Sequence, residues 1–151
     1  MRLTGPAETV AAGAALAAVL RVGDVVALNG DLGTGKTTFA RGLLQALGFA
    51  GEVPSPSFPI VIPYAPPDLI LPLWHVDLYR IDDAGEIEEL GLDEALADSA
   101  LLIEWPERMG ARLWPEALRL HFERAEGPGG EDARRLTWHV PAAWEGRWPP
   151  R

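Results

Sequence analysis

The feature that most constrains the fold of this chain is the octapeptide at residues 30–37, Gly-Asp-Leu-Gly-Thr-Gly-Lys-Thr, here called the 30–37 loop. It matches the phosphate-binding pattern G-x-x-x-x-G-K-[S/T] in full. An apolar run, residues 24–29, precedes it and is typical of a buried strand, and apolar residues at helical spacing follow it. The pattern therefore lies in the context that its chemistry requires, which is a strand, a tight loop and a helix N-terminus with partial positive charge. The alternative, a chance glycine-rich turn, explains neither flank.

The residue types of the 30–37 loop suit a bound nucleotide with Mg²⁺. Glycines allow several backbone N–H groups to point at a polyphosphate. Lys36 would reach the β- and γ-phosphates, and the Thr37 hydroxyl would hold Mg²⁺. Lys36 is the only lysine of the chain, so every other basic residue is arginine. Lysine is kept where a planar guanidinium would not fit. The predicted cofactor-binding residues here are Leu32, Gly33, Thr34, Gly35, Lys36, Thr37 and Thr38.

Length and composition narrow the class of protein. The chain has 151 residues, which suits one domain, predicted over residues 1–140, followed by a loosely packed tail at residues 141–151. No apolar run is long enough to span a membrane, no secretory signal is apparent, and there is no cysteine, so we expect a cytoplasmic protein. The net charge of −9 argues against a domain that grips a nucleic-acid backbone by itself.

The remaining patterns indicate an α/β chain. Residues 60–64 and 71–77 are expected to form two strands of a hairpin, joined by a proline-containing turn, and residues 100–104 form a compact apolar strand. The acidic stretch at residues 82–98 has an apolar face and predicts one or two helices broken near Gly91. A short helix is expected at 106–113, and strands at 118–123 and 134–140. We predict a P-loop NTPase-like sandwich: a mainly parallel sheet, helices on both faces, and an antiparallel C-terminal portion.

Two acidic residues end apolar strands and are candidates for the metal site. Asp77 ends the strand at 71–77, and Glu104 ends the strand at 100–104. Because ligands bind at the carboxyl ends of parallel strands, both acids would lie at the edge of the sheet where a nucleotide binds. We predict Thr37, Asp77 and Glu104 as the Mg²⁺ site and Lys36, Asp77 and Glu104 as the catalytic groups, with Glu104 alternatively positioning the attacking water. The plainer alternatives are that Asp77 merely begins a turn and that Glu104 is a capping acid beside a core tryptophan.

A second loop has the composition of a nucleotide-sensing switch. Ser55-Pro56-Ser57-Phe58 is stiff, carries two hydroxyls and follows the helix that begins at the 30–37 loop. Ser55, Ser57 and Trp105, which would cover the site, are the predicted switch residues. A simple proline-rich linker remains the alternative for the serines, as a core tryptophan does for Trp105.

Taken together, these motifs resemble the bacterial TsaE (YjeE) family. The resemblance rests on Gly-Asp-Leu-Gly-Thr-Gly-Lys-Thr-Thr, Ser-Pro-Ser-Phe, His-Val-Asp-Leu-Tyr-Arg, Glu-Leu-Gly-Leu and Ile-Glu-Trp-Pro-Glu, in this order over about residues 4–120. It implies a small ATPase, using ATP/ADP and Mg²⁺, that works with TsaB and TsaD in making threonylcarbamoyladenosine beside the anticodon of tRNAs reading ANN codons. tRNA would be met indirectly, through that complex.

The resemblance also assigns roles to single residues. The family's nucleotide and Mg²⁺ residues correspond to Lys36, Thr37, Asp77 and Glu104. Its Ser-Pro-Thr-Phe switch is Ser-Pro-Ser-Phe here, so Ser57 keeps the hydroxyl but loses a methyl group. The family's C-terminal hairpin is poorly matched, and Arg134 is the one candidate there for an adenine contact.

Three other functions fit parts of the pattern. A GTPase is favoured by the D-x-x-G at residues 82–85, but the Asn-Lys-x-Asp of guanine readers is absent. A small-molecule kinase would need an arginine-bearing lid; Arg108 and Arg112 are available, but no lid insertion is visible. A regulatory module, whose nucleotide state controls docking, differs from an ATPase only in turnover.

The acidic stretch at 82–98 is either a solvated face or a docking site for a basic partner surface.

Overall fold

The computed structural model describes residues 1–128 and 130–149, and its centre is a seven-stranded sheet. The strands are β1 (Arg2–Leu3), β2 (Val25–Asn29), β3 (Val61–Tyr64), β4 (Leu73–Asp77), β5 (Ala100–Glu104), β6 (Leu118–Arg124) and β7 (Arg134–His139). Their order across the sheet is β1-β7-β6-β2-β5-β4-β3.

The sheet is parallel at its centre and antiparallel at its edges. Strands β6, β2, β5 and β4 pair in parallel, whereas β3 pairs with β4, β6 with β7 and β1 with β7 in antiparallel fashion. The predicted hairpins are confirmed. The prediction of a mainly parallel sheet is wrong as stated, since half of the pairings are antiparallel. The connections between β3 and β4 and between β6 and β7 are too short for a crossover, so each returns the chain antiparallel beside the preceding strand, and β1 adds to β7 at the edge.

In the described part of the chain, four α-helices cover the two faces of the sheet: α1 (Pro6–Ala17), α2 (Lys36–Ala46), α3 (Ala84–Glu89) and α4 (Leu92–Ala95). Helices α1 and α2 pack on one face, in a core that includes Leu16, Leu43 and the β2 residue Leu28. Helices α3 and α4 pack on the other face, against residues such as Val25 at the alternate position of β2. Successive strand side chains point to opposite faces, so the continuous apolar strands serve both cores.

Helices α1 and α2 cross in backbone contact. A Cβ added at Gly13 would lie 2.2 Å from the Phe39 carbonyl oxygen, and one at Gly42 would lie 2.2 Å from the Val10 carbonyl oxygen. No larger residue fits either position without separating the helices. The close crossing brings the first turn of α1 beside the 30–37 loop, and the Thr9 methyl group lies 3.6 Å from the Cβ position of Gly35.

The acidic stretch and the segment after β5 are helical in part. As predicted, the chain breaks at Gly91, which has a φ of 71° between α3 and α4. Pro106–Arg112 forms a 3-10 helix interrupted at Gly110. Within the described residues, the helices are all too short or too polar to cross a membrane.

The C-terminal tail is part of the core, which corrects the prediction of loose packing. Trp144 and Trp148 are only 1% and 3% exposed and join the α1–α2 core. The Arg147 guanidinium forms an ion pair with Asp24 and donates to the Val19 carbonyl at 2.6 Å. Two large aromatic side chains and an anchoring arginine hold the segment in place, whereas Pro141 precedes these anchors and Pro149 follows them. Residues 150 and 151 lie outside the described residues.

Candidate functional site

The 30–37 loop connects β2 directly to α2, as the sequence predicts. A Cβ at Gly30, which has a φ of 147°, would lie 2.5 Å from the Phe122 carbonyl oxygen and 2.7 Å from Thr34 Oγ1. Gly35 has a φ of 106° and caps α2, which starts at Lys36. Only glycine combines these conformations with this close approach. The loop therefore ends at a helix start, where backbone N–H groups lack partners within the helix.

Lys36, near the end of the 30–37 loop, is buried, with 5% of its surface exposed. Its Nζ donates to the Gly30 carbonyl at 2.5 Å and lies 3.8 Å from the centroid of the Trp105 ring. Burial lowers the pKa of Lys36 below its usual range, while the negative charges nearby act in the opposite direction. Those charges are Glu104, Glu107, Asp77 and Asp31. The ammonium group is thus largely shielded from solvent, and a bound phosphate would favour its charged form.

Asp77 and Glu104 are brought side by side at the ends of adjacent strands. They are register partners in the β4–β5 pair, and Glu104 is also opposite Leu28 of β2, shortly before the loop begins. Their exposures are 3% and 4%. Asp77 Oδ1 accepts from the Tyr79 backbone N–H at 2.8 Å, and Glu104 Oε2 lies 2.7 Å from His75 Nε2. The structure therefore places both predicted acids at the edge where the loop starts.

The oxygen atoms of Thr37, Asp77 and Glu104 suit Mg²⁺ chemically. A hydroxyl and two carboxylates are hard ligands, which Mg²⁺ prefers to nitrogen or sulfur. Among the residues that the structure describes, no group of three or more His, Asp or Glu side chains could hold a metal by itself. A nucleotide-dependent Mg²⁺ site needs no such group, because one or two carboxylates together with phosphate oxygens and water complete it.

The serine-proline loop reaches the same place. Ser57 Oγ donates to Asp77 Oδ2 at 3.0 Å, and the Ser55 and Ser57 hydroxyls lie 2.9 Å apart. Phe58 beside them is 79% exposed, and the Arg80 guanidinium lies 4.5 Å from its ring centroid. Of the two predicted serines, Ser57 contacts a candidate metal ligand directly and Ser55 does so through Ser57.

Trp105 covers Lys36 from the side of β5. It has a φ of 58°, which is unusual for a bulky residue, and its ring centroid is 4.8 Å from that of Tyr79. The strained turn directs the indole back over the loop rather than along the 3-10 helix that follows. Trp105 thus lies where the sequence predicts a cover.

Two cavities flank the 30–37 loop. The smaller, of about 200 Å³, is lined by Gly33, Gly35, Thr37, Thr38, Arg134, Pro6, Thr9 and Asp132. The larger, of about 410 Å³, is lined by residues of the loop together with Trp105, Glu107 and the β6 residues 121–124. Arg134 Nη2 donates to the Gly33 carbonyl at 3.1 Å, so the predicted hairpin residue does meet the loop. Leu32 is 66% exposed at the loop tip and does not line either cavity.

Sequence reasoning gave no role to four residues that the structure adds to the site. Pro6 and Thr9 come from α1, and Asp132 from the hairpin between β6 and β7; all line the smaller cavity. His75 contacts Glu104. Only His75 had a signal in the sequence, since it lies two positions before Asp77 on a strand and therefore shares its face.

Comparison with known proteins decides the family. The family profile described as "Threonylcarbamoyl adenosine biosynthesis protein TsaE" matches residues 3–135. The chain belongs to the TsaE family. The TsaE of Streptomyces coelicolor is 44% identical over 128 residues, covering 83% of this chain and 85% of that protein. The TsaE of Bacillus subtilis is 41% identical over 138 residues, covering 91% and 82%.

A solved structure agrees with this assignment. The crystal structure of Bacillus subtilis YdiB superposes with a TM-score of 0.74 at 35% identity, covering 91% of this chain and 82% of YdiB. The α/β fold and the resemblance to the TsaE family are thus confirmed. Membership gives the protein a role in tRNA threonylcarbamoyladenosine biosynthesis, the process for which the family and its relatives are named.

Proposed function

We propose that this protein binds ATP with Mg²⁺ at the 30–37 loop and hydrolyses it slowly, acting with TsaB and TsaD in threonylcarbamoyladenosine formation on tRNA. The observation that carries the proposal is the convergence of three groups at one sheet edge: the buried Lys36, the adjacent Asp77 and Glu104, and the start of α2. The groups that would bind the phosphates and the metal then lie together beside a helix N-terminus.

Each residue has a role that follows from its position. Lys36 exchanges the Gly30 carbonyl for phosphate oxygens, and the free N–H groups at the start of α2 bind the same anion. Mg²⁺, when bound, neutralises phosphate charge and polarises the bond to be broken. Thr37, Asp77 and Glu104 would supply oxygen ligands to it, directly or through water. Trp105 keeps bulk water from the ammonium group, which strengthens its electrostatic interactions.

The base and ribose are proposed to occupy the cavity of about 200 Å³ beside Thr37 and Thr38. Arg134 borders that cavity and is fixed to the loop through the Gly33 carbonyl. No Asn-Lys-x-Asp element is present in the sequence to read guanine, so ATP should displace a bound fluorescent nucleotide better than GTP does. Equal or stronger displacement by GTP would reassign the protein to the GTPases.

Turnover measured in four mixtures tests the proposal: the protein alone, with tRNA, with TsaB and TsaD, and with all of them. We expect slow Mg²⁺-dependent ATP hydrolysis alone and faster hydrolysis with the partner pair. Asp77→Asn and Glu104→Gln should each reduce turnover far more than they reduce the free energy of unfolding. Metal-free nucleotide affinity should stay equal or rise, because a negative charge near the phosphates is removed. A variant with full Mg²⁺-dependent turnover would remove that acid from the site.

A regulatory role is favoured by a separate observation. Ser57 links the exposed Phe58 segment to Asp77, so occupancy of the metal site can change a surface that a partner would touch. If docking is the essential output, a non-hydrolysable ATP analogue should support one round of modification and complex assembly. If turnover is essential, the analogue should assemble the complex and block product formation.

A further inference from the structure

His75 is a buried polar residue without a role in the proposed chemistry. It lies on β4 two residues before Asp77, has no exposed surface, and is paired with Ile62 on one side and Leu102 on the other. Its Nε2 is 2.7 Å from Glu104 Oε2, although 29 residues separate the two in sequence. The contact is therefore created by the pairing of β4 with β5 and not by local structure.

The surroundings of the ring indicate which nitrogen carries the proton. Nδ1 is buried and has no hydrogen-bond partner within the described part of the chain. A buried N–H without an acceptor is costlier than a lone pair without a donor, so the proton belongs on Nε2. His75 then donates to the Glu104 carboxylate and leaves Nδ1 as the unsatisfied acceptor.

Stability alone does not account for a histidine at this position. The face it shares includes Leu73, Leu102 and Ala100, all of them fully or almost fully buried. An apolar side chain would pack there without an unsatisfied nitrogen, whereas the imidazole leaves Nδ1 desolvated. What the imidazole adds is a hydrogen bond to one chosen carboxylate oxygen.

We propose that His75 is a positioning residue that fixes the Glu104 carboxylate for Mg²⁺ binding; the inference rests on the proposed function. By holding Oε2, the imidazole sets the rotamer of Glu104 and leaves Oε1 for the metal or its water. Outer partners of this kind orient metal-binding side chains and increase their effectiveness as ligands. His75 would thus act on the metal only through Glu104.

Two substitutions separate this role from simple packing. The amide nitrogen of His75→Gln can reach the position of Nε2, whereas that of His75→Asn reaches only the position of Nδ1. Mn²⁺ affinity of the ADP complex is measured by electron paramagnetic resonance, and metal-free ADP affinity by calorimetry. We expect His75→Asn to weaken Mn²⁺ binding by about 10–100-fold. His75→Gln should retain most of the affinity, and neither variant should change metal-free ADP binding.

A double-mutant cycle shows whether the effect passes through Glu104. In the Glu104→Gln background, His75→Asn should have no further effect on Mn²⁺ affinity, because the side chain that it positions is already lost. Equal losses in both backgrounds would overturn the inference, as would a His75→Asn variant that folds and binds Mn²⁺ like the parent. If the parent binds ADP but shows no Mn²⁺ affinity, the proposed Mg²⁺ site fails and the role of His75 fails with it.

The unsubstituted protein provides an independent measurement, which does not depend on how well a variant folds. Nitrogen NMR of the three histidine rings should show a proton on Nε2 of His75 and none on Nδ1. Adding Mg²⁺ to the ADP complex should shift the Nε2 signal of His75 but not that of His139 on β7, the internal control. A proton on Nδ1, or a His75 signal that ignores Mg²⁺, would contradict the inference.

Discussion

Replacing Lys36 by alanine is the sharpest test of the 30–37 loop, because it removes the one cation placed inside it. In the free protein this ammonium is satisfied by the Gly30 carbonyl at 2.5 Å and by the Trp105 ring at 3.8 Å. A nucleotide must replace the first contact with charge-assisted bonds to phosphate. Only the difference between these interactions contributes to affinity.

The size of the effect follows from that exchange. Hydrogen bonds to charged groups contribute about 1.5–3 kcal/mol, which corresponds to about 10–150-fold in affinity. Because Lys36 is 5% exposed, little water or salt screens it. Because it gives up the Gly30 bond on binding, the gain should lie toward the lower end. We therefore expect Lys36→Ala to weaken ADP and ATP binding by at least about tenfold.

Calorimetric titration with ADP and with a non-hydrolysable ATP analogue measures this loss, and thermal unfolding checks that the variant folds. Arg41→Ala is the matched control, since Arg41 is an exposed cation on the same helix α2. It removes the same charge from the chain without touching the loop, and its affinity should stay within about twofold of the parent. A folded Lys36→Ala variant with parental affinity would refute the assignment of the loop as a polyphosphate site.

Three further predictions concern other parts of the molecule. Burial lowers the pKa of Lys36, and a bound phosphate would favour its charged form. ADP binding should therefore take up protons and weaken as pH rises toward the usual lysine pKa of 10.5. Calorimetry in buffers of different ionisation enthalpy should show this proton uptake, which should vanish in Lys36→Ala. Trp144→Ala should lower the free energy of unfolding by about 3–5 kcal/mol in urea titrations. A loss below about 1 kcal/mol would instead support the original prediction that the tail packs loosely. Neutralising Glu86 and Glu89, both exposed on α3, should slow association with TsaB–TsaD and flatten its salt dependence without changing ATP affinity. Identical on-rates and salt slopes for variant and parent would leave the acidic stretch as a solvated face, and Glu88 is kept because it pairs with Arg112.

Most of the fold could be predicted because its elements are short and differ clearly in pattern. The continuous apolar runs at β2 and β5 indicated buried strands, and the break at Gly91 was visible as a glycine inside an acidic helical pattern. The tail was misjudged because tryptophan and proline in a terminal segment do not reveal whether a complementary surface exists. That surface comes from distant segments: the Trp148 ring lies 5.7 Å from that of Trp138 on β7, and the anchor Asp24 lies 123 residues before Arg147.

The site divides in the same way into contiguous and non-contiguous parts. The 30–37 loop is one uninterrupted segment, so a local pattern was sufficient to predict its geometry. Asp77 and Glu104 were predicted from the rule that strand ends meet the ligand. That they are register partners depends on β5 lying between β2 and β4. The same strand order creates the His75–Glu104 contact, which no local pattern encodes.

Arg134 shows how strand register extends a site beyond its motif. Strand β2 ends at Asn29, opposite His121, but β6 continues to Arg124. Strand β7 begins at Arg134, the register partner of Arg124. The start of β7 therefore projects past the end of β2, to the level of the 30–37 loop, and Arg134 reaches the Gly33 carbonyl. A hairpin whose sequence departs from the family pattern can still border the cavity proposed for the nucleotide, because the overhang of β6 places the start of β7 there.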